Sequence, residues 1–468
     1  MQKIVIKNFG PIKDAEVDVK EILVLIGEQA SGKSTIAKLI YFFKSVADEF
    51  FENFYKSDKV EYDLIFDVKR PIRVKFYDYF GSTFHLPDFS ITYYYDLENG
   101  RYLTLSLGAD HRLQPVFSKG FFTTTFKKDV RDVKAGMIDI NNKLLQATDV
   151  REKLALEQDK IRLIQQLSMK IDDAFENRHS SRLYAIAGRE STVSYEATFE
   201  AYLEQSISSL LDENRKRTFK AKEKTVEEAL MIGYLKEVRR VKEVFKKYGG
   251  TFRNILNAHL DDRDLAKNID ERISKILKGD YVIDQYGEKI VFEIGRHVDL
   301  KDASSGQKEV VRILQDLVLC VIEKQRALRV VEEPEAHLFP VAQKQLVEML
   351  VYMRNMSASN QLIITTHSPY ILTVMNNLLF ASRVIAKNES LAHEVGTRIP
   401  KEFHIDPSIF AAYSLGQDQD AYCESVFNPE TGVIKQNYLD AVSEMLGSDF
   451  NFLYRLHAKS FKKVDGNA

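Results

Sequence analysis

The sequence predicts an α/β fold that consists of a phosphate-loop core, an antiparallel β subdomain and a large α-helical, partly coiled-coil insertion. Residues 27–35 read GEQASGKST, which fits the pattern G-x-x-x-x-G-K-[ST], and they directly follow an apolar run at residues 21–26. Strand-like apolar segments return after residue 280, whereas the middle of the chain is rich in charged, helix-forming residues. Strand, loop and helix in this order are typical of an anion-binding α/β core.

The loop predicts an anion site for a physical reason. Successive backbone N–H groups of such a loop surround phosphates, and the helix that follows directs its positive end at the same anion. Lys33 is expected to reach the β- and γ-phosphates, and Ser34 is expected to hold Mg²⁺. The loop residues predicted to bind the nucleotide are Gly27, Ala30, Ser31, Gly32, Lys33, Ser34 and Thr35.

Short strands surround the loop. Apolar patterns predict strands at residues 3–8, 15–19 and 21–26, with a turn at Gly10 and Pro11 and a helix at residues 35–43. Residues 59–106 hold further segments rich in β-branched and aromatic residues, and Asn99-Gly100 is a hairpin signal. These segments predict an antiparallel sheet beside the core.

The middle of the chain predicts helices. Apolar residues at steps of three and four run through residues 126–178, with a phase break near Thr148. One helix of about 50 residues would extend about 75 Å, and two shorter helices folded back on the core fit the pattern equally well. Gly188 interrupts the helical pattern, and a second helical tract is predicted at residues 196–277 with a break at Gly249 and Gly250.

Composition limits the classes of function. The chain has 468 residues, a formal net charge of −2 and only two cysteines, Cys320 and Cys423, which excludes a disulfide scaffold or a zinc ribbon. No run approaches the roughly 18 apolar residues of a membrane span, and the N-terminus lacks a signal-peptide core. A cytoplasmic protein without a membrane segment is therefore expected.

One local charge excess stands out. The stretch from Arg215 to Lys247 carries twelve Lys and Arg residues against five Glu residues. It is a candidate surface for nucleic acid or an acidic partner. A solvated helix face explains it as well, because the acids recur at spacings that allow i,i+4 pairs.

Further candidate ligand-binding residues follow after residue 280. Strands are predicted at residues 281–282 and 289–294, and the run Ser304, Ser305, Gly306 and Gln307 then opens a helix. Hydroxyl groups and a glycine at a helix N-terminus make a second anion site, because the first backbone N–H groups there lack helical partners. Taken alone, this run is also a common capping pattern.

Two later strands are predicted to end in polar residues. The run LRVVEEP ends in Glu332 and Glu333, and the strand at residues 362–365 delivers Thr366 and His367. One carboxylate beside a phosphate loop can orient Mg²⁺ or its water, and a second can polarise an attacking water. The histidine is placed to donate to the γ-phosphate.

Together the phosphate loop, SSGQ, the acidic strand end and the strand-tip histidine resemble the ATP-binding-cassette (ABC-type) ATPases. Within these, the set is similar to the soluble branch with RecF, the SMC proteins and the overcoming-lysogenization-defect (OLD) nucleases. The stretches IVIKNFGPIKDAEVDV, ASSGQKE and EEPEAHLFP are most similar to ATPases of bacterial anti-phage operons, namely the PARIS-type, Septu-type and retron-associated ones. The resemblance covers residues 1–50 and 275–375 well.

The resemblance implies a role for each matched residue. Lys33 and Ser34 would bind ATP and Mg²⁺, and Ser304 and Gly306 would act on the γ-phosphate of a partner protomer. Glu332 would be the metal-side carboxylate, Glu333 the catalytic one and His367 the switch histidine, with Lys33 the third catalytic residue. Transporter-type cassettes carry Asp where this chain has Glu332, which puts direct metal contact in doubt. Phe9 is the one aromatic residue suggested for the adenine.

The resemblance also implies a domain plan. Residues 1–120 would form the N-terminal lobe with the phosphate loop, 121–279 the helical insertion, 280–385 the C-terminal lobe and 386–468 a small α/β extension. In that extension a strand is predicted at residues 382–386, a hairpin around residues 427–432 and helices after residue 437. OLD nucleases carry a Toprim domain there, for which too few residues remain. Asp418 and Asp420 form a D-x-D without a strand-end partner, so no intrinsic nuclease is expected.

Three functions are open at this point. The first is an ATP-binding and ATP-hydrolysing sensor or scaffold that forms an ATP-sandwiched homodimer or a higher oligomer. It would control a separately encoded effector, a nuclease, in antiviral defence. The second is a RecF-like or SMC-like ATPase that itself binds DNA in repair or chromosome maintenance, and the third is an unrecognised nuclease.

Overall fold

The computed structural model describes residues 1–56, 64–194, 226–293, 295–416, 422–435, 448 and 450–457. The strands are β1 Gln2–Phe9, β2 Ile12–Val19, β3 Ile22–Gly27, β4 Ser90–Asp96, β5 Arg101–Leu107, β6 Leu113–Phe117, β7 Ser181–Ala185, β8 Asp280–Asp284, β9 Gly287–Glu293, β10 Arg296–Asp299, β11 Ala327–Glu332, β12 Gln361–Thr366, β13 Phe410–Leu415, β14 Cys423–Ser425, β15 Phe427–Asn428 and β16 Val433–Ile434. The helices are α1 Lys33–Lys56, α2 Leu64–Phe80, α3 Thr124–Gln146, α4 Val150–Ala174, α5 Ser191–Ser194, α6 Val226–Lys247, α7 Phe252–His259, α8 Arg263–Leu277, α9 Ser305–Ile322, α10 Pro340–Asn355, α11 Pro369–Lys387 and α12 Ala392–Gly396.

The central sheet has the strand order β14-β13-β3-β12-β11-β7, and all neighbours pair in parallel except β13 and β14. Strand β3, which leads into the phosphate loop, lies in the interior of this sheet. Its residues are buried on both faces, so Ile22 and Val24 join one hydrophobic core and Leu23 and Leu25 join the other. A strand covered on both faces explains the continuous apolar run in the sequence.

The second sheet is antiparallel, in the order β2-β1-β4-β5-β6. It pairs β1 with both β2 and β4, and Gly100 adopts a φ of 61° in the turn between β4 and β5. The α/β class and the antiparallel β subdomain are therefore confirmed. So are the early strands and the hairpin at Asn99-Gly100.

The prediction of strands at residues 59–80 is wrong in the described part, because α2 occupies residues 64–80. Side chains four residues apart, Val68, Ile72 and Phe76, are fully buried, whereas Val74 is 51% exposed. The Phe76 ring packs between Phe9 and Phe42 at centroid distances of 5.9 and 5.7 Å. Aromatic and β-branched residues favour strands locally, but burial at helical spacing outweighs this preference.

Helices α3 and α4 are two separate helices that pack side by side, which agrees with the alternative of two shorter helices. Lys170 pairs with Asp129 at 2.5 Å, and a Cβ on Gly136 would approach Leu163 to 3.0 Å. The residue numbers of these partners rise on one helix as they fall on the other, so the helices run antiparallel. Residues 147–149, at the predicted phase break, form the connection.

The segment between the two predicted helical tracts contains a strand of the central sheet. Strand β7 pairs in parallel with β11, so residues 181–185 form one edge of the core. The second helical tract is observed as α6, α7 and α8, and Gly249 and Gly250 interrupt it with φ of 83° and 75°. Residues 195–225 of this tract, and with them the first part of the basic stretch, lie outside the described residues.

The C-terminal part differs from the prediction in one element. Residues 382–386 belong to α11 instead of a strand, because buried residues at steps of three and four, Ile371, Val374 and Leu378, hold one helix face on the core. Strand β13 joins the central sheet beside β3, and β15 and β16 form the predicted hairpin. Asp418 and Asp420 lie outside the described residues.

A helix that spans a membrane needs a long and continuously apolar stretch. None of the helices in the described ranges has one.

Placement of Val74 on the outside of α2 distinguishes a helix from a strand. In a strand Ile72 and Val74 would face the same side, whereas in the helix only Ile72 faces the core. We expect Val74→Lys to change the free energy of unfolding by no more than about 0.5 kcal/mol. Ile72→Lys should lower it by about 3 kcal/mol or more, because it buries an unpaired ammonium group. If chemical denaturation shows that the two variants lose equal amounts of unfolding free energy, the helix is contradicted.

Candidate functional site

The phosphate loop connects β3 to α1 through three residues with positive φ: Gly27 at 149°, Ala30 at 59° and Gly32 at 89°. A Cβ on Gly27 would lie 2.0 Å from the carbonyl oxygen of Leu415 in β13. A side chain at position 27 is therefore excluded by the neighbouring strand. Ala30 adopts a left-handed conformation that costs an L-residue about 1–2 kcal/mol, which is a form of strain that ligand-binding loops often hold.

Lys33 bends back over this loop. Its Nζ donates to the carbonyl oxygens of Gly27 at 2.9 Å and Glu28 at 2.6 Å. Burial lowers the pKa of Lys33, while the carboxylates of Glu333 and Glu335 act against this shift. The ammonium group is thus held over the loop, and an incoming phosphate can replace the two carbonyl oxygens as its partner.

The remaining loop residues lie in the first turn of α1 and next to the C-terminal part of the chain. Ser31 is buried, and its carbonyl oxygen accepts a hydrogen bond from Tyr422 Oη at 2.6 Å. The carbonyl oxygen of Ser34 lies 3.5 Å from Tyr184 Oη, and the Ser34 side chain is half-buried like that of Thr35. The hydrogen bond from Tyr422, in a distant segment, therefore fixes the loop.

Glu332 is the last residue of β11, and its carboxylate is buried. Oε1 accepts from Tyr184 Oη at 2.7 Å, and Oε2 accepts from the backbone N–H of Ala187 at 3.0 Å. Both oxygens thus have partners within the chain. Direct contact with Mg²⁺ requires one of these partners to be replaced or shared, so Glu332 is held at the phosphate-loop side of the sheet through Tyr184.

Glu333 and His367 lie opposite each other at the ends of neighbouring strands. Oε1 of Glu333 is 3.3 Å from Nε2 of His367, and the Glu333 backbone N–H donates to the carbonyl oxygen of Thr365 at 2.8 Å. Glu333 has a φ of 43°, which turns the chain out of β11. Both side chains are partly exposed, so a water molecule or a phosphate can reach them.

Glu335 is a third carboxylate that the sequence analysis did not assign. Its Oε1 accepts from Thr366 Oγ1 and from the backbone N–H of His367, both at 2.7 Å. Its Oε2 is buried, and within the described residues it has no hydrogen-bond partner. The signal in the sequence was the acid that follows Pro334 in the run EEPE.

The SSGQ run forms a complete capping box at the start of α9. Ser304 Oγ accepts from the Gln307 backbone N–H, and Gln307 Oε1 accepts from the Ser304 backbone N–H at 3.1 Å. A Cβ on Gly306 would lie 2.5 Å from the carbonyl oxygen of His337. In the described part of one chain, no hydrogen bond joins residues 304–307 to the phosphate loop.

Arg189 connects these parts, and the sequence analysis gave it no role. It is fully buried, and its Nε lies 3.1 Å from Glu309 Oε2 in α9, in the geometry of an ion pair without an aligned hydrogen bond. Its Nη1 and Nη2 donate to the carbonyl oxygens of Glu332 at 2.7 Å and Glu333 at 3.3 Å. One side chain thus fixes the end of β11 against the helix that SSGQ opens.

Phe9 does not fit the adenine role suggested for it. Its ring is 4% exposed and packs against Phe76, Phe80 and Phe89 at centroid distances of 5.9, 5.5 and 5.0 Å. The ring therefore belongs to the hydrophobic core under α2, where a base cannot stack on it.

The residues at this edge of the sheet fit a nucleotide with Mg²⁺. The described residues contain no cluster of three or more His, Cys, Asp or Glu that could hold a metal by themselves. Mg²⁺ commonly keeps several waters and is bound by one or two protein oxygens together with substrate phosphates. Ser34 and the unpartnered Oε2 of Glu335 fit such a partial coordination, the latter through a water.

A strained phosphate loop, a buried lysine and strand-end carboxylates beside a histidine define a phosphate-loop nucleoside triphosphatase. The chain belongs to the AAA_15 family, described as an AAA ATPase domain, whose sequence profile matches residues 1–372. The protein is therefore an ATPase. The search of curated proteins gave no match.

Solved structures similar to this chain include two SMC heads and RecF. The SMC head bound to the C-winged helix domain of ScpA is 11% identical, with 91% of this chain and 96% of that chain covered and a TM-score of 0.38. The SMC head with an extended coiled coil from Pyrococcus furiosus, bound to the C-terminal domain of ScpA, is 10% identical, with coverage of 96% and 99% and a TM-score of 0.34. The recombination mediator RecF is 9% identical, with coverage of 91% and 97% and a TM-score of 0.32.

Arg189 gives a test of whether the buried ion pair positions the site. Arg189→Met should lower the free energy of unfolding by about 3–5 kcal/mol, because it leaves Glu309 buried without its partner. The double variant Arg189→Met with Glu309→Met should recover most of that loss in chemical denaturation. Its kcat for ATP should nevertheless stay at least tenfold below wild type with KM little changed, because the carbonyl oxygens of Glu332 and Glu333 stay unanchored. Normal kcat in the double variant would show that Arg189 acts on stability alone.

Proposed function

We propose that this ATPase is a sensor or scaffold subunit that dimerises or oligomerises around ATP and controls a separately encoded effector, a nuclease, in anti-phage defence. The observation that carries the ATP part is the convergence of Lys33, Glu333 and His367 at one edge of the sheet. The effector part rests on the family resemblance of the sequence and on an exposed apolar surface of the helical hairpin.

Each residue has a distinct role in the proposed reaction. Lys33 neutralises the β- and γ-phosphates, and Ser34 is a ligand for Mg²⁺. Glu333 polarises the attacking water, and His367, which is within hydrogen-bond reach of Glu333, donates to the γ-phosphate. Glu332 orients the metal side of the site from its buried position. Mg²⁺ held by Ser34 would neutralise part of the charge of the phosphates.

Two features support an ATP-sandwiched dimer. Ser304 is exposed at the N-terminus of α9, where backbone N–H groups are available to an anion from outside the chain. Phe339, Val341 and Tyr370 are large apolar residues exposed near the nucleotide edge, and a 2.7 Å hydrogen bond from Ser368 to Gln343 brings their two helices together. Apolar surface in such a position favours contact with another protein.

The helical hairpin of α3 and α4 supports a partner. Val150, Leu154 and Ile161 are exposed on one face of α4, and Leu145 is exposed at the end of α3. Steps of four and seven place the three α4 residues in one stripe, which the core does not cover. We propose that the effector binds this stripe.

The alternative is a RecF-like or SMC-like ATPase that binds DNA through the basic stretch between Arg215 and Lys247. In the described part of that stretch, Lys242 pairs with Glu288 at 2.7 Å and Arg240 pairs with Glu237 at 2.6 Å. These charges are partly neutralised within the chain, which weighs against a nucleic-acid surface there. Strong stimulation of ATP turnover by duplex DNA, with steep salt dependence, would favour the alternative.

An intrinsic nuclease is not part of the proposal, because Glu332 and Glu333 are assigned to ATP. Metal-dependent cleavage of DNA or RNA by the purified chain would contradict this. Such cleavage would have to survive Glu333→Gln and disappear when Asp418 and Asp420 are changed.

Glu333→Gln tests the catalytic carboxylate. The amide preserves shape but cannot act as a base, so ATP binding should persist while kcat falls by about 10²-fold or more. Steady-state turnover and nucleotide binding of the same preparation measure the two effects. Turnover within a few-fold of wild type in Glu333→Gln would move the role to Glu332 or Glu335.

Subunit mixing tests a site shared between two protomers. Gly306→Asp is unsuitable, because any side chain there meets His337 within its own chain. Ser305→Glu is preferable, because a carboxylate is tolerated in the first turn of a helix but would repel the partner's γ-phosphate. Lys33→Ala and Ser305→Glu homodimers should each be inactive. An equal mixture should regain about a quarter of wild-type turnover if the two sites act independently, and less if they cooperate.

The control for mixing is Ser305→Ala, which should hydrolyse ATP normally because α9 remains capped by Ser304. Dimer formation is checked by sedimentation before turnover is compared. If the Ser305→Glu protein alone hydrolyses ATP at the wild-type rate, the SSGQ run acts only as a helix cap.

The exposed stripe on α4 gives a test of the effector. Leu154→Glu combined with Ile161→Glu should leave ATP turnover unchanged, because neither residue contacts the core, and should abolish protection against phage in cells that carry the complete gene cluster. Lys153→Glu, a charge change on the same helix, is the control. Full protection by the double variant would remove the stripe from the proposal.

A further inference from the structure

A cavity of about 560 Å³ lies at the edge of the central sheet opposite the phosphate loop. It is lined by the starts of β1, β12 and β13, the segment before β7, the ends of β2 and β4, and one side of α1. We call it the basal cavity. Its volume lies in the range of pockets that hold small ligands, about 300–1,000 Å³.

Three buried polar side chains line the basal cavity, and one polar atom of each lacks a partner. Lys44 is 4% exposed, His179 8% and Gln361 5%. Among the described residues, Lys44 Nζ forms no hydrogen bond and no ion pair, and His179 Nδ1 and Gln361 Oε1 have no hydrogen-bond partner either. Buried polar groups are nearly always hydrogen-bonded, so three unpartnered ones around one cavity indicate a missing ligand.

Burial lowers the pKa of both basic groups of the cavity, Lys44 and His179. It lowers the pKa of Lys44 to about 7, with further lowering by the charge of Arg182 and an opposing effect of Glu21. Burial also lowers the pKa of His179 to about 2, so this imidazole is neutral and is available as a hydrogen-bond donor. A buried amine without a carboxylate in contact destabilises the fold unless an anion accompanies it.

Two of the four acidic residues that line the basal cavity are engaged in ion pairs. Asp96 and Glu176 pair with Arg101 at 3.0 and 2.5 Å, and Glu176 also pairs with Arg178 at 3.3 Å. Glu21 and Glu98 also line the cavity, but neither forms an ion pair with Lys44 in the described part of the chain. The lining of the cavity therefore offers two donors, Lys44 and His179, and one acceptor, Gln361.

We propose that the basal cavity binds a phosphorylated small molecule of nucleotide size, distinct from the ATP at the phosphate loop. Lys44 and His179 donate to its phosphate, and Gln361 Oε1 accepts an N–H of its base. Gln361 itself is fixed, because its Nε2 donates to the carbonyl oxygen of Lys20 at 2.8 Å. A ligand with both a phosphate and an N–H donor satisfies all three groups at once.

The position of the basal cavity links it to the ATP site through continuous elements. Strand β12 begins at Gln361 and ends next to His367, and α1 carries both Lys44 and Lys33. The two sites thus share a strand and a helix while lying at opposite edges of the sheet. The effect of a variant at Lys44 can therefore be measured separately from the effect of a variant at the phosphate loop.

The test uses the full chain with Lys33→Ala, so that binding at the phosphate loop is removed. AMP, GMP, pyrophosphate and inorganic phosphate are titrated calorimetrically. AMP or GMP should bind with one site per chain, and adding Lys44→Met should weaken that binding at least tenfold, as expected for the loss of a charged hydrogen bond. Lys13→Met, an exposed lysine outside the cavity, should leave the affinity unchanged.

Each other outcome overturns the proposal or a part of it. If none of the four probes binds, or if Lys44→Met behaves like Lys13→Met, the basal cavity is not a ligand site. If inorganic phosphate binds as tightly as AMP and GMP, the base has no role and the nucleotide part fails. Without ligand, Lys44→Met should have a Tm no lower than that of Lys13→Met, and a clear fall would make Lys44 a structural residue.

Discussion

The parallel pairing of β3, β12 and β11 is the constraint on which the ATP site depends. Ile26 aligns with Thr366, and Glu332 aligns with Thr365, so the three strands end at the same level. Side chains that follow these ends are therefore brought together, although Lys33 and Glu333 are 300 residues apart in the chain. A slip in register along any of these strands would separate the lysine from the carboxylates.

A buried ion pair then holds the outer parts of the site against this sheet edge. Arg189 follows β7 and lies between Glu309 of α9 and the carbonyl oxygens at the end of β11. Its five donors suit several carbonyl oxygens as well as a carboxylate, which lysine would not match. Such a pair contributes little net stability, but its geometry fixes the distance between α9 and the end of β11.

Much of the core could be predicted from the sequence because burial on both faces leaves a clear apolar run with polar residues at its end. This is true of β3, β11 and β12, and it placed Lys33, Glu333 and His367 on one edge. Helix α2 could not be predicted in this way, because its composition favours strands while tertiary packing selects the helical spacing of Val68, Ile72 and Phe76. Arg189 gave no periodic signal, since its role comes from contacts across the chain.

Gly306 of the SSGQ run is required by packing within one chain, and it is also predicted to lie at the γ-phosphate of a partner protomer. Gly306 is needed within a single chain, because the carbonyl oxygen of His337 occupies the place of a side chain. That contact joins the start of α9 to the segment after Glu335 whether or not an anion or a second protomer binds at the SSGQ run. The glycine alone therefore does not distinguish a helix cap from an anion site shared between protomers. The neighbouring Ser305, which lies in the first turn of α9, is the position where the two roles separate.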